Sequence, residues 1–285
     1  MSDVLRAPRE EDARAIAGLL SKDSPEPIDA EAVLLSWTSP GVQLQHDARA
    51  DEHSYARVES LGQKRVWISL GGHPSVELFD WVEARAREKG SRLLSGAWAS
   101  NATLIRELER RDFRLVRTSN RMTIELHEPR PDPVWPQGVE VRIFEPGDER
   151  VFYELHQETF RDSWEPIEES YDEWAHWHLQ PRAFVPDLWF LGVAGAEPVG
   201  FAICHSHPVD AELGWVRILG VRREWRRRGL GRGLLLHAFA EFRRRGMKRA
   251  ALGVDAESLT GANRLYEQAG MYVAARFAIY EKVVA

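Results

Sequence analysis

Cysteine is almost absent: Cys204 is the single one in 285 residues. One thiol excludes an intrachain disulfide and a four-cysteine zinc site. No apolar run approaches the roughly 18 residues of a membrane-spanning helix, so no transmembrane segment is expected. The N-terminal stretch MSDVLRAPREED is charged and lacks the apolar core of a secretory signal. A cytoplasmic protein is therefore expected. A surplus of positive charge is missing as well. Lys and Arg number 38 against 44 Asp and Glu, a net charge of −6. An acidic chain suits neither bulk nucleic acid nor an anionic membrane surface, and neither is expected as a partner. Low-complexity sequence is also lacking. Hydrophobic residues are 44% and charged residues 29%, the composition of a folded chain, and the length suits one or two domains.

Proline is concentrated rather than scarce. Residues 128–137, EPRPDPVWPQ, hold four prolines. Proline fixes φ and removes an N–H, so this stretch predicts an extended linker over 129–137. It divides the chain into 1–128 and 138–285. The halves read as a diverged repeat. Arg6 and Arg142, Asp12 and Asp148, and Leu19 and Leu155 are each separated by 136 residues (142 − 6). Strand-like alternation covers Val66–Leu70, Ser91–Trp98 and Met122–Leu126 in the first half. It returns at Trp189–Ala194, Val199–His205, Trp215–Val221, Ala250–Val254 and Val273–Ile279 in the second. Helical spacing covers Ser75–Lys89, Leu104–Arg111, Leu230–Arg245 and Leu259–Ala269. Strands interleaved with helices predict an α/β fold, two tandem domains each with a mixed central sheet flanked by helices.

The segment with most chemical content is VRREWRRRGLGRG, residues 221–233. A strand ends at Val221 and a glycine-rich basic loop opens a helix. Such a loop can aim several backbone N–H groups at one anion, and the helix dipole adds positive potential. Glycines 229, 231 and 233 would admit a ligand close to the backbone. Crowded arginines at 222, 223, 226, 227, 228 and 232 repel one another unless an anion relieves them. The alternative is a solvated arginine face. A Walker A loop needs Gly-Lys-Ser/Thr, and a Rossmann fingerprint needs a third glycine where Leu234 stands.

Arg226-Arg227-Arg228-Gly229-Leu230-Gly231 resembles the Gln/Arg-x-x-Gly-x-Gly/Ala loop of the GNAT acetyltransferases. Leu219-Gly220-Val221 looks like that family's fourth strand. Asn263 to Met271 resembles its Asn-x-x-x-x-Tyr-x-x-x-Gly-Phe region. The whole chain is similar to the two-GNAT-domain proteins of actinobacteria, the mycothiol-synthase-like group. The resemblance implies acetyl-CoA bound between two splayed strands. Backbone groups of Leu219, Gly220 and Val221 would hold the pantetheine. Arg226, Arg227, Arg228, Gly229, Leu230, Gly231 and Arg232 would hold the pyrophosphate, with Asn263 beside them. It also implies an amine acceptor on a small molecule, a protein amine being the alternative. A sensor that binds acyl-CoA without turnover would use the same loop. The first half has only Gly71-Gly72-His73-Pro74 at the matching place, without arginines, so one acetyl-CoA per chain is expected. Fused halves could replace a dimer, so a monomer is expected.

Transfer to an amine needs a base for the amine and an acid for the departing thiolate. By family position Tyr266 is the expected acid. Glu212 and His205 are the candidate bases, with water as a third possibility. The group's fourth-strand glutamate aligns with Trp215 here. Cys204 reads as a buried, inert thiol. His205 and His207 alternate onto one face, but no third ligand is visible, so no metal is expected. Trp164, Trp174, Trp177, Trp189 and Trp215 crowd the acceptor region, as cation–π partners or as core.

Overall fold

A computed structural model describes residues 4–284 except 23, 130, 164–168, 181–183 and 259. It resolves two compact units: residues 1–119 with 275–285, and residues 120–274. These bounds differ from the linear division at the proline-rich segment. The reason is hydrogen bonding by the two strands that close the sheets, described below. Among the described residues, no helix is long and apolar enough to cross a membrane.

The first unit carries helices α1 (Ala13–Ser21), α2 (Ala30–Trp37), α3 (Leu44–Asp47), α4 (Val76–Lys89) and α5 (Ala102–Arg110). Its strands are β1 (Ala48–Ala50), β2 (Ser54–Ser60), β3 (Arg65–Gly72) and β4 (Arg92–Trp98). β1, β2 and β3 are antiparallel neighbours, and β3 and β4 are parallel. Local chemistry sets the helix ends. The Ser75 hydroxyl accepts the Leu78 N–H at the start of α4, and the Asn101 side chain does the same for Leu104 in α5.

β5 (Arg114–Glu125) leads into the second unit. There follow β6 (Val139–Ile143), α6 (Glu149–Thr159), α7 (Tyr171–His178), β7 (Trp189–Ala194), β8 (Glu197–Ser206) and β9 (Leu213–Val221). Then come α8 (Leu230–Arg244), β10 (Arg249–Asp255), α9 (Ala262–Gln268) and β11 (Tyr272–Val283). β6 to β9 are successive antiparallel neighbours, and β9 and β10 are parallel. Alternation along β8 divides the core between two faces. Ala202 and Cys204 pack with α8, while Phe201 and Ile203 pack with α6 and α7.

The closing strands come from unexpected places in the chain. Phe277 to Val283 of β11 pair antiparallel with Trp98 to Arg92 of β4, so the end of the chain completes the first unit's sheet. The later residues of β5 lie beside β10 in the second unit's sheet. There Met122, Ile124 and Leu126 join the core.

The two arginine–aspartate identities seen in sequence form the same clip twice. Arg6 grips Asp12 with two N–H···O bonds of 2.8 and 2.9 Å. Arg142 grips Asp148 at 2.6 and 2.9 Å. In each, the aspartate also accepts a backbone N–H three residues before it, from Arg9 or Glu145. Among the described residues, the proline-rich segment has no regular element through residue 136, as expected. It is docked, however. The Trp135 ring stands 2.7 Å from where a Cβ on Gly233 would be, and it packs edge-on against His237 of α8.

Candidate active site

β9 and β10 are hydrogen-bonded only at their beginnings. Leu213, Gly214 and Trp215 pair with Arg249, Ala250 and Ala251. β9 then runs on to Val221 and β10 to Asp255 with no further partners between them. The strands therefore splay, and the facing N–H and C=O groups of both edges are left for another partner. A register shift accompanies the opening. Ile203 faces Ile218 and Cys204 faces Val216, so Arg217 is an extra residue on β9. A bulge of this kind re-aims side chains and ends regular pairing.

The basic loop follows at the open end of β9. Arg227 and Gly229 both have left-handed backbones, φ +59° and +94°. That geometry turns successive N–H groups toward one side. Gly229 is also the N-cap of α8, with no side-chain cap. The first backbone bond of α8 runs from Gly233 N to Gly229 O. The N–H groups of residues 229–232 thus have no helical acceptor. A Cβ on Gly231 would lie 3.5 Å from Val221 and 4.0 Å from Leu219 and Leu265, so the loop, β9 and α9 converge there.

The arginines divide into two sets, which corrects the repulsion argument. Arg222 is paired with Glu158 and Glu197 at 3.1 and 2.7 Å, and Arg223 with Asp162 at 2.7 Å. Arg226 donates to the Val221 and Thr159 carbonyls, both at 3.0 Å, and also reaches Asp162. It ties the loop to β9 and α6. Among the described residues no carboxylate pairs with Arg227, Arg228 or Arg232. The Arg228 guanidinium lies 4.8 Å from the centre of the Trp225 ring. Gly233 serves the Trp135 contact rather than a ligand. Gly220 serves packing too: a Cβ there would meet Phe201 at 2.4 Å and the Thr159 hydroxyl at 2.5 Å.

Tyr266, on α9, is buried as part of the same core as the inward residues of α8. Burial pushes its phenol up to about 12. The Asn263 amide donates to the Asp255 carbonyl at 2.8 Å, which anchors α9 to the end of β10. Glu212 stands at the closed end of the strand pair. It is exposed, its side chain pairs with Lys248, and its carbonyl accepts the Lys248 and Arg249 N–H groups. His205 is buried, and burial brings its ring down to about 4. Its Nδ1 is 2.9 Å from the Ser206 carbonyl, leaving Nε2 without a partner among the described residues. His207 lies just beyond the end of β8, against Trp215, and acts electrostatically on His205. Cys204 is fully buried on the opposite face, and burial pushes its thiol up.

Across the sheet from α8 lies a polar cluster that the sequence reading missed. His156 on α6, Glu169 before α7 and His178 at the end of α7 come together. Arg217 acts electrostatically on all three and on His205. It has solvent-accessible surface, yet packed protein around it lowers its guanidinium from the ordinary value. Burial brings His156 down to about 4 and lowers His178 further below its usual range. Burial, with Glu173 nearby, raises Glu169 to about 7. No motif marks these residues, because they are 13 and 9 apart on separate elements.

The tryptophans are largely spoken for. Trp174 and Trp189 are core, 6.0 Å apart between ring centres. Trp215 is already covered by the Arg121 guanidinium at 3.9 Å. Trp164 lies outside the described residues.

Comparison with known proteins adds to this geometry. The family model "Acetyltransferase (GNAT) family" matches residues 150–271. A mycothiol acetyltransferase of Thermobispora bispora is 33% identical over 222 residues, covering 72% of this chain and 75% of that protein. One of Salinispora tropica is 30% identical, covering 94% and 92%. A GCN5-related N-acetyltransferase structure from Sphaerobacter thermophilus superposes with a TM-score of 0.78 at 32% identity, covering 98% and 95%. A tandem GNAT protein from the clavulanic acid biosynthesis pathway gives 0.72 at 12% identity, covering 98% of both chains, a likeness of fold.

Proposed function

Because the chain belongs to the GNAT acetyltransferase family, we propose that its second unit passes the acetyl group of acetyl-CoA directly to an amine of a small molecule. The observation that carries this reading is the splay of β9 from β10 beside a loop of unsatisfied N–H groups. The fit to acetyl-CoA rests on this chain's own atoms. The open strand edges offer N–H and C=O partners for the amides of pantetheine. The loop from Arg227 to Arg232 offers the pyrophosphate N–H donors and three arginines that have no carboxylate partner among the described residues. The roles proposed for Leu219, Val221, Gly229, Leu230 and Gly231 are carried by backbone. Arg226 and Asn263 act as scaffold, holding the loop and α9 in place.

Acetyl-CoA supplies an activated acyl group. The chain supplies position and protons. The buried Tyr266 phenol keeps its proton at neutral pH and is the donor proposed for the leaving sulfur. The extra residue at Arg217 leaves backbone beside the opening without a β8 partner, a donor for the oxygen that gains charge. Glu212 is set aside as the base, since it is held by Lys248 at the closed end. Buried, uncharged His205, or a water next to it, is the remaining base.

Calorimetry with acetyl-CoA tests this reading. One molecule per chain is expected, with affinity at least tenfold weaker in Arg227→Glu/Arg228→Glu. Two equivalent sites, or an unchanged affinity in the double variant, would sink it. The acceptor side is tested by free-thiol release over a panel of small amines.

A further inference from the structure

His156, Glu169 and His178 have no role in acetyl transfer as proposed above, and they form a constellation of their own. One ring nitrogen of each histidine and one carboxylate oxygen lie within 4.8 Å of one another. We propose that these three residues bind one divalent metal ion, Zn2+ by the chemistry of the ligands.

Two imidazoles and one carboxylate are a borderline ligand set that suits zinc, where oxygen-only sites suit calcium or magnesium. Buried polar atoms are nearly always hydrogen-bonded. Here the Nδ1 atoms of both His156 and His178 are buried with no partner among the described residues. His178 itself is only 5% exposed. An ion held through these two nitrogens would give this orphaned polarity a partner. The backbone can accommodate it. His156 and His178 project from the well-packed helices α6 and α7, while Glu169 lies just ahead of the α7 cap at Ser170 and can adjust. Ligand atoms 2.0–2.1 Å from zinc stand about 3.4 Å apart, so closure by roughly an ångström is required.

Arg217 works against the ion, since its guanidinium acts on all three residues. Ionised Glu169 must therefore offset it, and Glu169 is expected to matter more than either histidine. Three protein ligands leave one position open, for a water. The ion would tie α6 to α7 on the side of the sheet opposite α8.

The test reads metal binding alone, so it stands apart from acetyl transfer. The full chain, freed of any affinity tag and of metal by chelation, is titrated with ZnCl2 in a calorimeter. It is titrated with CoCl2 in a visible spectrometer. We expect one ion per chain, the intense d–d bands of four-coordinate Co2+, and a higher Tm with Zn2+. Glu169→Gln should weaken Zn2+ at least 30-fold, and His156→Ala or His178→Gln at least tenfold, on the order expected for a lost ligand. His127→Ala, on the surface, should change nothing. Glu169 is only half-buried, so its variant will fold even where a histidine variant does not. Absence of heat with Zn2+ overturns the proposal. So does a weak six-coordinate Co2+ spectrum, or Zn2+ affinity that Glu169→Gln leaves unchanged.

Discussion

The Tyr266 phenol carries its proton at any ordinary pH, because burial has pushed it up to about 12. Such a group is present in its protonated form, as a donor and not as a base, throughout the working pH range. Tyr266→Phe keeps the ring and its place in the core. We expect kcat to fall on the order of 10²-fold, with the acetyl-CoA KM little changed. Because burial holds the phenol up at about 12, the shape of the pH–rate profile around neutrality should persist in the variant. A parental rate in Tyr266→Phe would make it a packing residue. The arginines carry a related lesson. Adjacent residues of one type do unlike work, since Arg226 holds carbonyls of β9 and α6 while Arg227 has no carboxylate partner among the described residues.

At the scale of elements, the entry to α6 depends on the clip between Arg142 and Asp148. Asp148 accepts both guanidinium bonds and the Glu145 N–H while almost wholly buried. The Arg142 bonds chiefly hold its carboxyl below the usual range. The sign follows. A depressed native pKa contributes stability that is present above the unfolded pKa, near 4, and is lost as pH falls through the native value. Asp148→Asn should cost about 1–3 kcal/mol at pH 7 in denaturant titration, from unsatisfied donors. The difference between variant and parent should shrink below pH 4. A constant difference down to pH 2 would mean the clip holds by shape alone. Asp12, gripped by Arg6, should behave alike in the first unit.

At the scale of the molecule, the closing strand of the first sheet comes from the end of the chain. Tyr280 is buried among Val66, Leu93 and Leu108, and it faces Ser95 in the β4 ladder. Nearby Glu281 pairs with Arg92, and Lys282 with Glu83. Tyr280→Ala should cost about 3 kcal/mol as a large-to-small core change. By hydrogen exchange, the loss should fall on β4 amides rather than on β9. Faster exchange in β9 with β4 intact would return the last strand to the second unit.

Composition and local pattern by themselves determined the α/β class, strands β7 to β10 and helices α8 and α9 of the second unit, and the glycine-rich turn that opens α8, but not β6, α6 or α7. These are short-range properties, written in alternation, capping and glycine spacing, and α4 (Val76–Lys89) is accordingly capped by Ser75 and Gly90. The paired Arg–Asp identities at 6/12 and 142/148 were legible as a repeat, though not as hydrogen-bonded clips. Only the tertiary structure decided which arginines are neutralised, because Glu158, Asp162 and Glu197 reach the loop from α6, the turn after it and β8. It also decided that Glu212 sits at the closed end of the strands. It gathered His156, Glu169 and His178 from separate elements. It sent β11 to β4, since strand pairing is a matter of backbone hydrogen bonds, and these carry no mark in the order of the side chains.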